Sequence, residues 1–548
     1  MLNVPAEFAA KATHTVANQA LPLVDYNLFA TDRALAEGVL REGAEWMRPR
    51  LEDFGQQAGS EEVVRWGFQA NENPPMLRTH DRFGHRIDEI EFHPAWHELM
   101  RLAMESGLAS LPWTTATTGA QVGRIALMYM AAQNEAGHTC PVSMTSCAIP
   151  ALRKQPDLAR EWTPRVVSGR YDPACRPAHE KAGVLIGMAM TEKQGGSDVR
   201  ANTTRAEPVG EGEYLLTGHK WFCSAPMSDA FLVLAQAPAG LTCFLLPRWT
   251  PDGRRNHFHI QRLKPKLGNR SNASGEVEFD GAFTRRIGEE GRGVATIIEM
   301  VQHTRLDCVM GTAALMRQAL VQAIHHCRHR SAFGRLLIEQ PLMQNVLADL
   351  ALESEAATVL MLRLARAFDQ RDTDPREHGI ARLATAVAKY WIGKRGPTHV
   401  AEALECLGGN GYVEESIMPR LYREAPLNSI WEGSGNVICL DILRAIQKEP
   451  DAVASVLNEI HLARGADRRL HGCIDQLENA LTKPCSELEA RRLAQTLALS
   501  LQAALLIRHS SSSVADAFCA TRLAGEGGHT FGTLPAGTDF RTILERAF

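Results

Sequence analysis

The spacing of apolar residues changes twice along this chain, and this limits the folds that the chain can adopt. Up to about residue 182 the apolar residues recur at helical spacing between proline-rich breaks. From Gly183 to about Arg286 they stand in short runs between turn residues, which is typical of strands. Helical spacing returns from Gly293 to about Ala445 and again beyond the break at Lys448-Glu449-Pro450.

This order predicts an α+β fold with four domains, which the length of 548 residues allows. We expect an N-terminal helical domain at 1–182, a central β domain at 183–288, a helical bundle at 289–445 and a C-terminal helical domain at 446–548. Asp32 is expected to cap the first clear helix. Strands are expected at 214–217, 231–235, 242–246 and 276–279.

Charge and cysteine usage exclude some classes of protein. A formal net charge of −4 gives no overall field that would attract nucleic acid, so any DNA contact must come from a local patch. The 12 cysteines form no CxxC pair, which favours buried reduced thiols over a disulfide framework. The N-terminus has no signal-peptide pattern, and the chain has no run of eighteen apolar residues, so we expect a soluble cytoplasmic protein.

Two short motifs lie in the predicted β domain. In the segment 190–198, adjacent glycines allow close approach of backbone to a ligand, and Thr191 and Ser197 add hydroxyls; the alternative is an ordinary turn. In the segment 219–224, Trp221 could cover a ring system while Ser224 bonds a heteroatom. The alternative for this second motif is a strand with a core tryptophan.

Three further motifs lie in the predicted bundle. Arg330, followed by Phe333-Gly334, Gln340 and Gln344, could clamp a diphosphate, or it could be a solvated basic helix end. Residues 407–412 form a glycine-rich turn that helix capping alone would explain. Glu432, between Trp431 and Gly433, would have a raised pKa suited to a general base, or it could complement a helix start. No third ligand accompanies His325 and His329, so no metal site is predicted.

The five motifs, taken in order, resemble the acyl-CoA dehydrogenase family from about residue 30 to residue 445. The resemblance implies that family's fold, with a central β-barrel or sandwich, a homotetramer, and FAD as cofactor. It implies Glu432 as the catalytic base and a second subunit that reaches the FAD through the Arg330 segment. The cofactor-binding residues that it implies are Met190, Thr191, Gly196, Ser197, Trp221, Phe222, Ser224, Arg330, Phe333, Gln340, Gln344, Gly408, Gly409, Ile430, Trp431, Gly433, Ser434 and Asn436.

The chain also resembles the AidB-like branch of that family, which belongs to the bacterial adaptive response to alkylation damage. The segments that carry this likeness are 71–75, 92–97, 191–198 and 263–273, together with the extra C-terminal segment. Two residues depart from the wider family pattern: Cys223 stands where a threonine is usual, and the bulky Trp431 adjoins the base. Both departures predict a weak dehydrogenase or a different substrate. The resemblance to the branch implies that the weak activity is of the isovaleryl-CoA type.

The branch further implies that the C-terminal domain binds double-stranded DNA. Residues 446–548 contain 11 Lys and Arg against 12 Asp and Glu, so the domain is not basic overall and local groups must supply the contact. A solvated surface is the alternative. The residues expected to contact phosphates are Arg444, Lys448, Arg464, Arg468 and Arg492.

The sequence therefore supports a flavoprotein that binds DNA and protects against alkylation damage. An alternative is a fully active metabolic acyl-CoA dehydrogenase with no DNA role. A scaffold in which FAD is only structural is a third possibility.

Overall fold

A computed structural model describes residues 13–482 and 486–548. Its N-terminal part is mainly helical, and Asp32 caps the first described helix by accepting a hydrogen bond from the Leu35 amide, as predicted. The helices of this part are α1 (Arg33–Arg41), α2 (Arg48–Ala58), α3 (Glu61–Glu72), α4 (Pro94–Glu105), α5 (Leu111–Thr114), α6 (Ala120–Asn134), α7 (Thr139–Leu152) and α8 (Pro156–Val166).

An antiparallel hairpin interrupts these helices and was not predicted. Strands β1 (Met76–His80) and β2 (Arg86–Glu91) pair with each other, and Arg86 donates a hydrogen bond to the carbonyl of Ile260 in the β domain. Both strands are short and largely polar, so the apolar pattern from which we predicted strands elsewhere is weak here.

Residues 186–287 form a closed barrel. Its strands are β3 (Ile186–Ala189), β4 (Arg205–Gly210), β5 (Glu213–Ser224), β6 (Ala230–Ala237), β7 (Gly240–Pro247), β8 (Phe258–Leu263) and β9 (Ser274–Ile287). The order β6-β4-β5-β9-β7 returns to β6, while β3 pairs β6 and β8 pairs β9. The four predicted strands all lie within β5, β6, β7 and β9, which confirms the β domain.

Three long helices form the bundle that follows: α9 (Gly293–His329), α10 (Pro341–Gln370) and α11 (Pro375–Glu405). Their residues are mostly buried around the helix circumference, as expected for helices in the centre of a large protein. A hairpin of two strands, each two residues long, connects α9 to α10: β10 (Ser331–Ala332) pairs with β11 (Arg335–Leu336). The short helices α12 (Gly409–Tyr412) and α13 (Met418–Glu424) then lead to Glu432.

The C-terminal helices pack directly onto the bundle. They are α14 (Gly435–Lys448), α15 (Pro450–His461), α16 (Arg468–Leu481), α17 (Ala490–His509), α18 (Ser512–Phe518), a π-helical turn (Cys519–Leu523) and α19 (Phe540–Ala547). Helix α14 runs through the predicted boundary at residue 445 and ends at Lys448, where the sequence break was noted.

A buried ion network joins the bundle to these helices. Arg363 of α10 donates to both Glu377 of α11 and Glu459 of α15, at 2.7 and 2.9 Å. Arg508 of α17 also donates to Glu459 at 2.9 Å. Four helices therefore share one set of buried charges, and the C-terminal helices belong to the same packed core as the bundle.

Candidate active site

The segment that carries Glu432 is held in an unusual backbone conformation. It follows a short 3-10 helix and precedes α14, and Glu432 has φ +57° while Gly433 has φ +112°. The left-handed region is unfavourable for a residue with a Cβ unless its surroundings enforce it. Here Arg305 of α9 donates to the Glu432 carbonyl at 3.1 Å, and Lys389 of α11 donates to the Gly433 carbonyl.

The Glu432 carboxyl group is not paired as a structural carboxylate would be. Its Oε2 atom is buried and has no hydrogen-bond partner among the described residues. Burial raises the pKa of Glu432 above its ordinary value, although the Thr304 hydroxyl and the cations Arg305 and Lys389 partly oppose this rise. A carboxylate with a raised pKa and a free oxygen is suited to accept a proton near neutral pH.

The loop at 190–198 is anchored by a fully buried ion pair. Glu192 accepts from Lys220 of β5 at 2.8 Å and from the amides and hydroxyls of Thr203 and Thr204. Burial alone would raise the pKa of Glu192, but Lys220 and these hydrogen bonds lower it to about 2. Gly196 and Ser197 of the same loop are exposed, and Thr191 is half-buried.

The Trp221 motif is the C-terminal end of β5 and lies against this loop. The Trp221 amide donates to the Thr191 carbonyl at 2.8 Å, so the first two motifs are in direct contact. Phe222 is exposed, and the Lys264 Nζ atom lies 3.8 Å from the centroid of the Trp221 ring. Cys223 is fully buried within the barrel core, where burial raises its pKa to about 12. Its thiol therefore has no exposed surface from which to contact a ligand.

Motifs far apart in the sequence meet in one apolar cluster. Met190 and Trp431 both pack against it, and it includes Cys140 and Ala225. Burial raises the pKa of Cys140 to about 12, and the negative charge of Glu432 adds to this rise. The Cys140 thiol also lies within hydrogen-bond reach of Ser224. The structure thus brings together the Met190, Ser224 and Glu432 segments, with Ile430 and Gly433 beside the last of them.

The Arg330 and glycine-rich motifs lie elsewhere on the chain. Arg330 donates to the Asn18 carbonyl, Gln340 donates to the Ala332 carbonyl at 2.9 Å, and Phe333 is 99% exposed. Added Cβ atoms at Gly408 and Gly409 would meet nothing within 4 Å, so this turn also faces open space. These residues and the nearby Gln344 do not complete the Glu432 site within one subunit.

One cavity of the structure lies away from Glu432. It has a volume of about 480 Å³ and lies between the N-terminal segment, α9 and the glycine-rich turn. Leu21, Gln318, His326 and Leu407 are among its lining residues, and no residue of the Glu432 segment lines it. We place the candidate active site at Glu432 because, within the described part of the chain, a free carboxylate oxygen and the converging motifs coincide there alone.

Sequence reasoning missed three residues that support Glu432: Thr304, Arg305 and Lys389. All three lie on long, mostly apolar helices and are buried. A charged residue within such a helix was the available signal, because a buried charge needs a partner. Which partner it meets depends on the tertiary packing.

The five residues predicted to contact DNA differ in how their charges are balanced. Lys448, Arg468 and Arg492 are exposed and make no ion pair among the described residues. Arg464 is paired with both Asp475 and Glu478, so its charge is compensated. Arg444 is bonded to Asp441, which also pairs with Arg305 and Arg382.

Within the described residues there is no helix long and apolar enough to cross a membrane. The same part of the chain contains no group of three or more His, Cys, Asp or Glu side chains that could hold a metal ion.

Three domain families match the chain in succession. Residues 18–173 match the N-terminal domain of the adaptive response protein AidB, residues 187–282 the acyl-CoA dehydrogenase middle domain, and residues 291–447 the acyl-CoA dehydrogenase C-terminal domain. These matches follow the order of the helical, barrel and bundle regions described above.

Whole-chain relatives agree with these matches. AidB of Escherichia coli strain K12, named as an acyl-CoA dehydrogenase, is 49% identical over 94% of this chain and 95% of its own length. Acyl-CoA dehydrogenase family member 11 of Caenorhabditis elegans is 31% identical over 86% of this chain and 82% of its own. The crystal structure of Caenorhabditis elegans ACDH-11 in complex with C11-CoA superposes with a TM-score of 0.86 at 27% identity, covering 96% of this chain and 95% of that one.

Proposed function

Since the chain belongs to the acyl-CoA dehydrogenase family, in its AidB-like branch, we propose that it combines a weak acyl-CoA dehydrogenase activity with binding of double-stranded DNA. The chain is an acyl-CoA dehydrogenase-type oxidoreductase, and its cofactor is FAD. The identity of the substrate, the role of Glu432 and the DNA contact are proposals. So is a role of the DNA contact in protection against alkylation damage.

The residues around Glu432 fit a flavin. The free buried oxygen of Glu432 and the apolar cluster with Met190 and Trp431 provide one side of a site for a flat ring system. The hydroxyls of Thr191, Ser197 and Ser224 would hydrogen-bond its polar edge. When bound, FAD supplies the chemistry that accepts a hydride equivalent from the β-carbon of the substrate.

The observation that carries the enzymatic proposal is the unpartnered Oε2 of Glu432. In an acyl thioester, the carbonyl acidifies the α-carbon, and Glu432 would remove the α-proton. Arg305 and Lys389 hold the backbone of this segment, so the carboxylate is positioned before the substrate arrives. Trp431 would restrict the acyl chain beside the base, which favours a short branched chain such as isovaleryl.

This activity is tested by adding isovaleryl-CoA to the purified protein without oxygen and following the flavin absorbance. Bleaching of the flavin is the expected result. If acyl-CoA esters of every chain length leave the absorbance unchanged while FAD stays bound, the dehydrogenase proposal is wrong and the scaffold alternative gains support.

Activity should fall in mildly acidic solution. The pKa of Glu432 is raised, so the carboxylate becomes protonated at a pH above the ordinary glutamate value, and a protonated base cannot accept the α-proton. The rate of flavin reduction should therefore decrease tenfold for each pH unit below that pKa. Stopped-flow reduction between pH 4.5 and 8 measures this. A rate that stays constant down to pH 4.5 would contradict a raised pKa.

A homotetramer is proposed from the exposed apolar residues near the Arg330 motif. Phe333 and Leu342 are 99% and 84% exposed, and Tyr412 is 80% exposed. Large apolar side chains with this much exposure are expected to be covered by another surface. Arg330, Gln340, Gln344 and Gly408 would then meet the FAD of a second subunit, which the family resemblance implies. Light scattering of the purified protein tests the assembly.

The DNA proposal rests on a local excess of positive charge at the end of α14. Arg444 and the bundle residues Arg305 and Arg382 all surround one carboxylate, that of Asp441, and Arg382 also pairs with Glu449. Exposed Lys448 adds a further cation one turn beyond Arg444. Arg305 and Arg382 are largely buried and offset the Asp441 charge from inside the protein, so the exposed Arg444 and Lys448 could neutralise phosphates without reading bases. Exposed Arg468 and Arg492 are proposed as further phosphate contacts, and the paired Arg464 would contribute least.

Replacement of both Arg444 and Lys448 by Gln should weaken binding to duplex DNA. Each lost phosphate contact should reduce the slope of log Kd against log salt by about 0.9. Fluorescence anisotropy of a labelled duplex between 50 and 200 mM NaCl measures the slope. The matched control is Arg541→Gln, since Arg541 is exposed but already paired with Glu545.

If the double variant binds DNA like the parent, this patch is not the contact surface. If the parent protein binds no DNA at all but bleaches with acyl-CoA, the alternative of a purely metabolic dehydrogenase is favoured.

A further inference from the structure

We infer that Arg491, on the C-terminal helix α17, binds the diphosphate of a nucleotide whose reactive end lies at Glu432. FAD and acyl-CoA both contain such a diphosphate. The inference rests on FAD as the cofactor and on the site at Glu432, and it does not depend on DNA binding.

Arg491 is held at the segment that follows Glu432. Both its Nε and Nη2 atoms donate to Asn436 Oδ1, at 3.0 and 2.7 Å. One acceptor thus orients the guanidinium, and its Nη1 atom has no hydrogen-bond partner among the described residues. The side chain is exposed, and Glu487 and Glu489, which precede it on the chain, make no ion pair with it in the described structure. A fixed, unpaired guanidinium matches the paired oxygens of a phosphate.

A second cation reaches the same place from another helix. Lys394 of α11 is exposed and unpaired within the described residues, and its Nζ atom would lie 3.3 Å from a Cβ added at Gly435. Lys394 thus reaches the first residue of α14, Gly435, and Arg491 is bonded to the second, Asn436. The bundle and the C-terminal helices therefore each contribute one free positive charge to one point.

The start of α14 adds hydrogen-bond donors between these cations. Ser434 does not cap the helix with its side chain, and no acceptor among the described residues meets the amides of Gly435, Asn436 and Val437. The positive end of a helix and free amides favour an anion. Glu432 lies only three residues before Gly435. A nucleotide whose reactive end lies at Glu432 could therefore place its diphosphate at the start of α14.

The nearest carboxylate on α14 is already engaged. Asp441 lies more than one turn further along and pairs with three arginines, so it cannot compensate Arg491 or Lys394. An anion bound here would therefore meet two cations that form no ion pair among the described residues. A diphosphate fits this position better than a carboxylate because it offers several oxygens to donors from three helices.

The test compares Arg491→Gln with Arg541→Gln, which removes an exposed arginine of the C-terminal helices that has no proposed role in binding. Release of FAD on dilution of the yellow protein is followed by FAD fluorescence, and binding of CoA to the same protein is measured by calorimetry. Loss of a charge-assisted contact should raise the Kd of one nucleotide about tenfold for Arg491→Gln. Arg541→Gln should leave both nucleotide affinities unchanged.

Weaker FAD binding alone identifies the cofactor as the source of the diphosphate, and weaker CoA binding alone identifies the substrate. Lys394→Gln should weaken the same nucleotide, and Arg491→Lys should restore part of the affinity by keeping the charge. The inference is overturned if both affinities are unchanged, if Arg541→Gln weakens them equally, or if Arg491→Gln affects only duplex DNA. FAD release can be measured even if the bleaching assay shows no activity. Failure of the dehydrogenase proposal can therefore be distinguished from failure of the Arg491 proposal.

Discussion

Replacement of Glu432 by Gln is expected to lower the rate of flavin reduction by isovaleryl-CoA about 10²- to 10⁴-fold. Glutamine has nearly the same shape but cannot accept the α-proton. The free Oε2 atom of the parent has no other role that the described structure shows, since no side chain or amide bonds to it. Stopped-flow absorbance without oxygen measures the rate, and exchange of the α-hydrogen into deuterated water reports proton removal independently.

The loss should not come from unfolding. An ionised carboxylate with a raised pKa costs stability at neutral pH, because the folded state favours its protonated form. The neutral amide removes that cost, so the melting temperature should stay the same or rise and FAD should remain bound. Glu415→Gln, at an exposed glutamate on the chain surface, is the control and should keep the parent rate. Bleaching at the parent rate in Glu432→Gln would exclude this residue as the base.

Replacement of Lys220 by Met should lower the free energy of unfolding by about 3–5 kcal/mol, the usual cost of leaving one buried charge without its partner. Lys220 and Glu192 have no exposed surface. The pair connects β5 to the loop with Thr191 and Ser197, so the variant should also lose FAD. Urea unfolding and the absorbance of the bound flavin measure the two effects.

A matched control uses the same loop. Lys193→Met removes an exposed lysine next to Glu192 and should change the free energy of unfolding by less than about 0.5 kcal/mol. The double variant Lys220→Met, Glu192→Gln should recover part of the lost free energy of unfolding, because it leaves no unpaired charge buried. Equal effects of Lys193→Met and Lys220→Met would show that burial of the pair does not matter.

The ion pair of Glu192 and Lys220 also predicts that the stability of the protein depends on pH in acidic solution. The folded pKa of Glu192 is lowered to about 2, below its ordinary value. Its contribution to stability is therefore complete above about pH 4.5 and is lost as the pH falls toward 2. In this range the loop should loosen and release FAD.

Much of this architecture could be predicted because its signals are local. The barrel strands carry short apolar runs, and Asp32 and the break at Lys448 mark helix ends by side-chain chemistry. The hairpin of β1 and β2 could not be predicted in this way, since its stability comes from contacts such as that of Arg86 with the distant Ile260 carbonyl. Local spacing contains no information about such contacts.

The site shows the same division. Glu432 and the Trp221 motif could be identified from their neighbours in the sequence. Arg305 and Lys389, which hold the Glu432 segment, lie 127 and 43 residues before it on separate helices. Cys223 shows a different limit. The sequence places it at a family position, but only the barrel packing reveals that its thiol faces the core.

The ion network around Arg363 has a consequence for experiments on the C-terminal region. Removal of the chain beyond residue 448 would take away Glu459 and Arg508 and would expose the apolar faces of α10 and α11 that α15 and α17 now cover. A truncated protein would therefore report on damage to the bundle, including its flavin, and not on a missing nucleic-acid module. Point substitutions at surface cations avoid this damage, because the last hundred residues pack as part of the bundle.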